Sequence, residues 1–415
     1  MPDDPAAPWP NAPWCESPWH RRWLAEGAGR LWRFFGPEAI DPAGGFHDLG
    51  ADGRPLTAQS PRPLHATARM VHCHAIGHML GLPGSAAMVD HGMEALLRRH
   101  RDPRHGGFFW SFAADGPADD AKRAYGHAFV MLAASSAAMA GHPDGPALLA
   151  EIAELHERRF WDQEARMGRE DFARDWSDPE PYRGQNSNMH LVEALMGAFE
   201  ATGEGAFLAR ARAVAERLID GHARAAGWAV PEHFHEDWRP WPGYEGDPMF
   251  RPAGTTPGHA LEWARLLLQL HALGGGAEAW MPEAAASLFA RACARGWTGR
   301  GLRYTLDGEG RPLRGELLWW PVAEGIAAAA TLGAARGDAG FEEWYRRFWA
   351  CAARDLIDPR TGAWHPQIDP PADPGARLFR GVPDIYHALG AHLTPLAPPG
   401  GTLAGAARAG RIAPG

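Results

Sequence analysis

Lysine, tyrosine and cysteine are scarce in this chain of 415 residues. Arginine supplies almost all of its 41 basic residues, and it has only 6 tyrosines and 4 cysteines. The cysteines are scattered, without any CxxC spacing, at Cys15, Cys73, Cys293 and Cys351. This usage predicts reduced thiols in a cytoplasmic protein and argues against a disulfide framework or a zinc site.

Long basic runs and long apolar runs are missing as well. The formal net charge is −9, which argues against nucleic acid or an anionic membrane as the main partner. No apolar stretch approaches the roughly 20 residues that span a bilayer. The N-terminus lacks the basic and apolar regions of a signal peptide. We therefore expect a cytoplasmic protein with a small-molecule partner, either a monomer or a homo-oligomer.

Tryptophan and histidine, by contrast, are abundant, with 19 and 21 copies, and the turns that contain aromatic residues repeat. Six segments share turn residues followed by an aromatic or β-type run, as in DPAGGFHDL from Asp41 and DPRHGGFFWSF from Asp102. The period is about 60 residues, with one longer unit between Gly227 and Gly301. Self-similarity at a fixed period indicates one supersecondary unit used repeatedly.

Between these segments lie alanine- and leucine-rich stretches with helical periodicity. Twelve helices in six pairs, without a convincing long strand, predict an all-α fold: a single (α/α)6 barrel over residues 18–395 with short β-type loops at one end. An open solenoid is the alternative, but it needs polar end caps. Residues 1–17 form a proline-rich N-terminal segment, and 396–415 are expected to be a disordered tail. The predicted helices span 18–35, 64–80, 84–99, 122–139, 146–160, 187–202, 205–223, 258–273, 282–296, 318–333, 339–356 and 384–394.

Polar side chains recur near the start of every second helix, inside otherwise apolar segments. Because burying a polar group costs free energy unless it is paired or used, this repetition indicates a shared pocket at one end of the barrel. An i,i+3 or i,i+4 spacing places both members on one helix face in Asn186/His190, His259/Glu262, Trp320/Glu324 and Asp384/His387. The residues are Arg69 and His72, Tyr125 and His127, Asn186 and His190, His259 and Glu262, Trp320 and Glu324, and Asp384 and His387.

Each of these residues also has a purely structural interpretation. A single histidine in a helix is more often a hydrogen-bonded structural residue, and Glu262 and Glu324 can be surface partners of Arg265 and Arg314. Two further groups, His72 with His74 and His78, and the loop cluster around His233, suggest a metal. Neither has an HExxH motif or a carboxylate cage, so we predict no metal.

Six segments of the chain together resemble the N-acylglucosamine 2-epimerase superfamily, over roughly residues 18–395. Within it, the chain is most similar to the aldose–ketose isomerases that act on D-mannose or on sulfoquinovose. The matching segments are TARMVHCHAIG around Arg69, KRAYGHAFVMLAASSA around Tyr125, GQNSNMHLVEALM around His190, TTPGHALEWARLL around His259, WWPVAEGIAAA around Glu324 and GVPDIYHAL around His387.

The resemblance implies a role for each matching residue. His259 and His387 correspond to the two histidines that move protons, and His190 to a third pocket histidine. We expect Glu262 to hold the imidazole of His259, and Asp384 that of His387. His65 stands where the related isomerases tend to have tryptophan, and it is counted with the sugar-binding residues. The other positions that hold and orient the sugar are Arg69, Tyr125, Asn186, Trp320 and Glu324; of these, Arg69 also stabilises developing negative charge.

The implied function is a cofactor-independent aldose–ketose isomerase that interconverts D-mannose and D-fructose through a cis-enediol(ate). Histidine suits this chemistry because its pKa of about 6.5 lets it accept and donate protons near neutrality. The nearest alternative is a sugar 2-epimerase, of the cellobiose or N-acylglucosamine type. Sulfoquinovose is a further possible substrate, since Arg62, Arg69 and Arg239 offer charges for a sulfonate. A glycoside hydrolase or lyase, which needs two facing carboxylates, and a non-catalytic sugar-binding protein complete the alternatives.

Overall fold

The computed structural model describes residues 13–56 and 60–412. Most of this part of the chain is helical, as predicted. The helices are α1 (Pro18–Phe34), α2 (Leu64–Met79), α3 (Ser85–Ala95), α4 (Ala124–Met139), α5 (Gly145–Leu155), α6 (Gln185–Thr202), α7 (Gly205–Ala215), α8 (Pro257–Leu273), α9 (Trp280–Gly296), α10 (Trp319–Arg336), α11 (Ala339–Cys351), α12 (Ile385–Leu393) and α13 (Leu403–Arg408).

The even-numbered helices form the inner ring of an (α/α)6 barrel. From α2 to α12, each inner helix packs against the next, and α12 packs against α2 and closes the ring. The inner helices are buried on nearly all sides because they are covered both by the barrel interior and by an outer helix; nearly every residue of α4 is buried. The odd-numbered helices α1 to α11 form the outer ring. The prediction of a single (α/α)6 barrel is confirmed, and the closed ring excludes the open solenoid.

Short antiparallel strands occupy the loops at one end of the barrel. They form two three-stranded sheets, in the orders β1-β2-β3 and β10-β9-β8, and two two-stranded sheets, β4-β5 and β6-β7. The strand β9, at seven residues, is longer than the sequence pattern indicated. The strands are β1 (Arg62–Pro63), β2 (Ser111–Ala113), β3 (Gly116–Asp119), β4 (Trp161–Asp162), β5 (Met167–Gly168), β6 (Arg183–Gly184), β7 (His233–Phe234), β8 (Arg303–Leu306), β9 (Pro312–Leu318) and β10 (Gln367–Ile368).

The predicted disordered tail is instead folded as far as residue 412. Its short helix α13 packs against α2, α4 and α6 at the end of the barrel away from the strands. Ala404, Ala406 and Ala407 are buried there, and the backbone N–H of Thr402 donates to Glu200 Oε2 at 2.9 Å. The alanine and glycine content that suggested disorder lets this helix approach the barrel closely, because small side chains need little space.

An aromatic cluster accounts for several tryptophans near the N-terminus. Trp14 is 1% exposed, and its indole lies 5.6 Å from that of Trp19 and 5.0 Å from the ring of His20. His20 in turn stacks on Trp23 and hydrogen bonds the hydroxyl of Tyr345 at 2.8 Å. These tryptophans therefore anchor the first outer helix to α11 and do not serve the pocket. Residues 1–12 of the predicted N-terminal segment lie outside the described residues.

The four cysteines are all unpaired, and three of them are buried. Within residues 13–56 and 60–412, no helix has the length and apolar character that a membrane crossing requires.

Candidate active site

A cavity of about 560 Å³ opens where the inner helices begin. Every predicted site residue lines it except Glu324, which lies behind His387. Because all six inner helices present their N-termini to this cavity, their dipoles favour negative charge inside it. Two of the polar residues noted near the starts of the inner helices do not line the cavity. His72 hydrogen bonds Ser136 at 2.7 Å, and His127 accepts a hydrogen bond from the backbone N–H of Phe108 at 3.1 Å.

His259 is paired with Glu232. Its Nδ1 lies 2.9 Å from both carboxylate oxygens of Glu232. The pairing of β6 with β7 brings Glu232 next to Gln185, whose Nε2 donates to Glu232 Oε2 at 2.7 Å. The backbone N–H of Thr256 donates to the other oxygen at 3.1 Å. Burial alone would raise the pKa of Glu232, but His259 and the hydrogen bond from Gln185 hold it below its usual value.

This pairing corrects the prediction that Glu262 holds His259. Glu262 lies one helical turn deeper and has no hydrogen bond to His259 among the described residues. Sequence reasoning missed Glu232, although the adjacent His233 was part of a loop cluster noted for its polar residues.

His387 is paired with Glu324. Its Nδ1 lies 2.8 Å from Glu324 Oε1, in a buried hydrogen bond between α12 and α10. Burial would raise the pKa of Glu324, but Arg265 and the hydrogen bond from His387 hold it below its usual value. Glu324 therefore lies behind the histidine and does not line the cavity, whereas the sequence predicted it among the residues that hold the sugar. The indole of Trp320 lies between the two pairs, 5.1 Å from the ring of His259 and 5.8 Å from that of His387.

Asp384 holds Arg69, and not His387 as predicted. Its Oδ2 accepts from Arg69 Nη1 at 2.9 Å, while Arg69 Nη2 donates to the Tyr125 hydroxyl at 2.9 Å. The guanidinium also lies over Phe129, 4.3 Å from the ring centroid. Burial would raise the pKa of Asp384, but Arg69 keeps it below its usual value, and burial raises the pKa of Tyr125 to about 12. Arg69 is thus a fixed positive charge in the cavity wall.

Burial favours the uncharged forms of two cavity residues, Glu262 and His190. Burial, and then the nearby Glu324 carboxylate, raise the pKa of Glu262 well above its usual value. Its Oε2 has no hydrogen-bond partner within the described residues. Burial lowers the pKa of His190 to about 4, so its imidazole is neutral near pH 7. A protonated Glu262 is able to donate a hydrogen bond to a ligand hydroxyl.

Aromatic rings cover one side of the cavity. His65 stacks on Trp110 with ring centroids 5.1 Å apart and planes inclined by 19°, and Phe250 packs edge-on against both rings. Asn186 Nδ2 donates to the backbone oxygen of Phe250 at 3.3 Å. Phe250 and its neighbour Met249 belong to the one longer repeat unit, and sequence analysis did not identify them as cavity residues. A planar imidazole at position 65 therefore takes part in an aromatic stack.

The polar clusters considered as metal sites have other partners. His74 hydrogen bonds the backbone oxygen of Phe35, and His233 hydrogen bonds Tyr182 and the backbone of Pro252. Ligand atoms do lie close together in two other groups, His190 with Glu193 and Glu262, and Glu262 with Glu324 and His387. The Arg265 guanidinium already lies 3.2–3.5 Å from all three of these carboxylates and supplies the positive charge there.

Glu262 and Glu324, the two inner-helix glutamates that a hydrolase would use as its carboxylates, do not both line this cavity. Glu262 lines the cavity, but Glu324 does not and is engaged by His387 and Arg265. The cavity instead has two histidines with carboxylate partners, one fixed arginine and an indole between them. This set can transfer protons and stabilise an oxyanion.

The chain is similar to known proteins over most of its length. The profile of the N-acylglucosamine 2-epimerase (GlcNAc 2-epimerase) family matches residues 44–391. The chain is 43% identical to D-mannose isomerase from Thermobifida fusca, over 93% of this chain and 97% of that protein. It is 42% identical to D-mannose isomerase from Pseudomonas cannabina pv. alisalensis, over 93% and 95%. A crystal structure of D-mannose isomerase, 30% identical, superposes with a TM-score of 0.83 over 90% of this chain and 97% of that one.

Proposed function

The chain belongs to the N-acylglucosamine 2-epimerase family, and we propose that it is an aldose–ketose isomerase that interconverts D-mannose and D-fructose. One observation supports this most directly. His259 and His387, each with a buried carboxylate on Nδ1, flank one cavity that also contains the fixed guanidinium of Arg69. The substrate named for the similar proteins is D-mannose.

The reaction needs two kinds of proton transfer. The cyclic sugar first opens, which requires an acid at the ring oxygen and a base at the anomeric hydroxyl. A base then removes the proton from C2, and the C–H electrons form the C1=C2 bond of an enediol(ate). The base returns the proton to C1 while the O2 proton is lost and O1 gains one, so that C2 becomes the ketone carbon. No electron acceptor enters this balance.

We assign the transfer between C2 and C1 to His387 and ring opening to His259. A carboxylate on Nδ1 fixes the Nδ1–H tautomer, which leaves the Nε2 lone pair free to accept a proton. Glu324 does this for His387, and Glu232 does it for His259. General acid–base groups of this kind contribute roughly 10²–10⁴-fold each.

Arg69 and Glu262 complete the proposed machinery. Arg69, held by Asp384 and Tyr125, stabilises the negative charge that develops on the enediolate oxygens; one such donor is worth roughly 10²–10³-fold. Glu262, in its protonated form, donates to a sugar hydroxyl. Trp320 offers an apolar indole face to the C–H face of the ring, between the two histidines.

The test is incubation of the purified protein with D-mannose in D₂O with a chelator present. We expect D-fructose, and solvent deuterium at C1 or C2 to the extent that the base exchanges its proton. Failure to form fructose, together with no deuterium in either sugar, would refute the proposal.

A 2-epimerase on the same scaffold is the alternative, since it too requires paired bases at C2. A panel of D-mannose, D-glucose, D-lyxose, cellobiose and sulfoquinovose, with products separated by chromatography, distinguishes these activities. Sulfoquinovose stays in this panel because three arginines, Arg69, Arg377 and Arg380, line the cavity. Of the arginines that the sequence suggested for its sulfonate, only Arg69 is among them; Arg62 and Arg239 are each paired with an aspartate.

A further inference from the structure

A buried guanidinium lies directly beneath the floor of the cavity. Arg265 of α8 is 7% exposed and does not line the cavity. Both its Nε and Nη2 lie 3.2 Å from Glu324 Oε2, and Nη2 is also 3.4 Å from Glu262 Oε1. Its Nη1 is 3.5 Å from Glu193 Oε1 and 3.2 Å from Gln269 Oε1. One cation is therefore shared by three buried carboxylates.

Each of these carboxylates touches a group of the proposed site. Glu324 accepts from Nδ1 of His387, and Glu193 lies 3.5 Å from Nδ1 of His190. Glu193 also accepts a hydrogen bond from the hydroxyl of Tyr386. Glu262 itself lines the cavity. Arg265 is thus one step removed from the cavity on the His387 side, and nothing among the described residues connects it to the pair formed by His259 and Glu232.

One cation cannot balance three ionised carboxylates away from water. Burial disfavours the charged form of a carboxylate, and a nearby opposite charge restores it. Burial would raise the pKa of both Glu324 and Glu193, yet Arg265 and the hydrogen bonds from histidine lower the two pKa values, while the pKa of Glu262 stays raised. The cluster therefore favours the ionised forms of Glu324 and Glu193 and the protonated form of Glu262.

We propose that Arg265 is a positioning residue that keeps Glu324 ionised and aligned on Nδ1 of His387, so that the Nε2 lone pair of His387 faces the substrate. Without the cation, Glu324 takes up a proton, and its carboxyl O–H donates a hydrogen bond to the Nδ1 lone pair. His387 then carries its own proton on Nε2, which points at the sugar and cannot act as a base. The effect on catalysis rests on the proposed function, whereas the effect on the tautomer of His387 does not.

The protonation of this cluster depends on charged and titratable groups from five inner helices. Any pH dependence therefore belongs to the cluster as a whole. These groups are Arg69 and His72 on α2, His190 and Glu193 on α6, Glu262 on α8, Glu324 on α10, and Tyr386 and His387 on α12.

The first test compares Arg265→Gln with Arg265→Lys in steady-state kinetics with D-mannose from pH 5 to 9. In Arg265→Gln we expect kcat at pH 7 to fall about 10–100-fold, as for other residues that orient a functional histidine. The acid limb of kcat should move to higher pH by about one unit, because Glu324 must lose a proton before His387 regains its free Nε2. Arg265→Lys, which restores the charge, should move the limb back even if kcat stays low.

The second test reads the tautomer without any activity. ¹⁵N-histidine-labelled protein, with the His387 signal assigned by a His387→Asn variant, should show the Nδ1–H form in the original chain at pH 7. Arg265→Gln should convert it to the Nε2–H form. If the original chain isomerises no hexose but this conversion occurs, the proposed function fails and the inference about Arg265 stands.

Lys122→Gln is the matched control, because Lys122 is also a fully buried cation, paired with Asp102 at 2.9 Å, and does not line the cavity. It should lower the melting temperature and leave both the acid limb and the His387 tautomer unchanged. A folded Arg265→Gln variant with an unshifted acid limb and an unchanged His387 tautomer would overturn the proposal. An equal shift in Lys122→Gln would do the same.

Discussion

The two histidine–carboxylate pairs face the same cavity but are supported in different ways. Glu232, beside His259, is held by neutral donors, the amide of Gln185 and the backbone N–H of Thr256. Glu324, beside His387, is held by the buried cation Arg265. Two local pairs that look alike thus differ in how their protons are shared. The pair at His259 stands alone, whereas the pair at His387 is coupled to two further carboxylates through one guanidinium.

This difference suits the two proposed tasks. Ring opening moves protons between oxygen atoms, which an isolated histidine–carboxylate pair can do. Removal of a proton from carbon is harder and needs a base with a single, fixed tautomer. A buried ion pair whose charges are all hydrogen-bonded holds such a geometry well, because any rearrangement leaves a charge without its partner. The comparison therefore assigns the carbon base to the His387 side, and the following predictions test that assignment.

The largest effect is expected from replacing either histidine. His387→Asn and His259→Asn should each lower kcat/KM for D-mannose by about 10³-fold, within the range for general acid–base groups. The two variants should differ in their response to deuterium at C2. His387→Asn slows the C–H step and should show a large isotope effect on kcat/KM, whereas His259→Asn slows ring opening and should show an effect close to one.

The reverse pattern of isotope effects would exchange the two roles. His72→Gln serves as the control, because His72 is buried against Ser136 and does not line the cavity. It should keep kcat/KM within a few-fold of the original value.

The carboxylate partners should come next in size. Glu324→Gln and Glu232→Gln each replace an acceptor with an amide that is able to donate to Nδ1 and so select the wrong tautomer. Losing the carboxylate behind a catalytic histidine costs up to about 10⁴-fold in the Ser-His-Asp triad, and we expect about 10²–10³-fold here in kcat. A fall in kcat in only one of the two variants would mean that only one of the two histidines depends on its tautomer.

The barrel and the location of the cavity could be predicted from the sequence, but the pairing within it could not. The repeat fixes which helices are equivalent, and therefore which residues stand at the cavity end. It does not say which side chains meet across helices. Glu324 and His387 are 63 positions apart, and Arg69 and Asp384 are 315 apart. The i,i+3 spacing of His259 and Glu262 suggested a contact, but one helical turn places Glu262 deeper, at the level of Arg265.

Glu232 was missed because it lies in a loop, where periodicity carries no information. Its position depends on the register of β6 and β7, two strands of two residues each. The β-type character of the loops was visible in the sequence, but not which short strands would pair. The prediction of a disordered tail was wrong for a related reason. Composition indicates whether a segment can fold by itself, whereas α13 is folded through its contacts with three inner helices.

A smaller effect on turnover should follow from Glu262→Gln. Because the pKa of Glu262 is raised by burial and by Glu324, its carboxyl is protonated above its ordinary range, and a glutamine amide can replace it as a hydrogen-bond donor. We expect kcat/KM for D-mannose to fall by about 10-fold or less, and Glu262→Ala to cost considerably more. Should Glu262→Gln prove as damaging as Glu324→Gln in the same assay, Glu262 would have to be an ionised group.

The smallest effect on turnover, but a clear one on stability, should come from histidines outside both pairs. Burial lowers the pKa of His100, His127 and His156 to about 3 and that of His74 and His392 to about 4. These imidazoles are neutral in the folded chain, whereas in the unfolded chain they bind protons below about pH 6.5. Their contribution to stability is therefore complete above pH 6.5 and is lost as the pH falls toward 4.

We expect the melting temperature to fall by roughly ten degrees between pH 7 and pH 5, measured by calorimetry. His156→Phe, which removes one of these titrating groups from the barrel wall, should make the fall shallower. A melting temperature that does not change over this range would mean that the wall histidines can be protonated without unfolding. The stability curve also separates two causes of acid inactivation, because an acid limb measured well below the melting temperature at each pH belongs to the cavity pairs and not to loss of the fold.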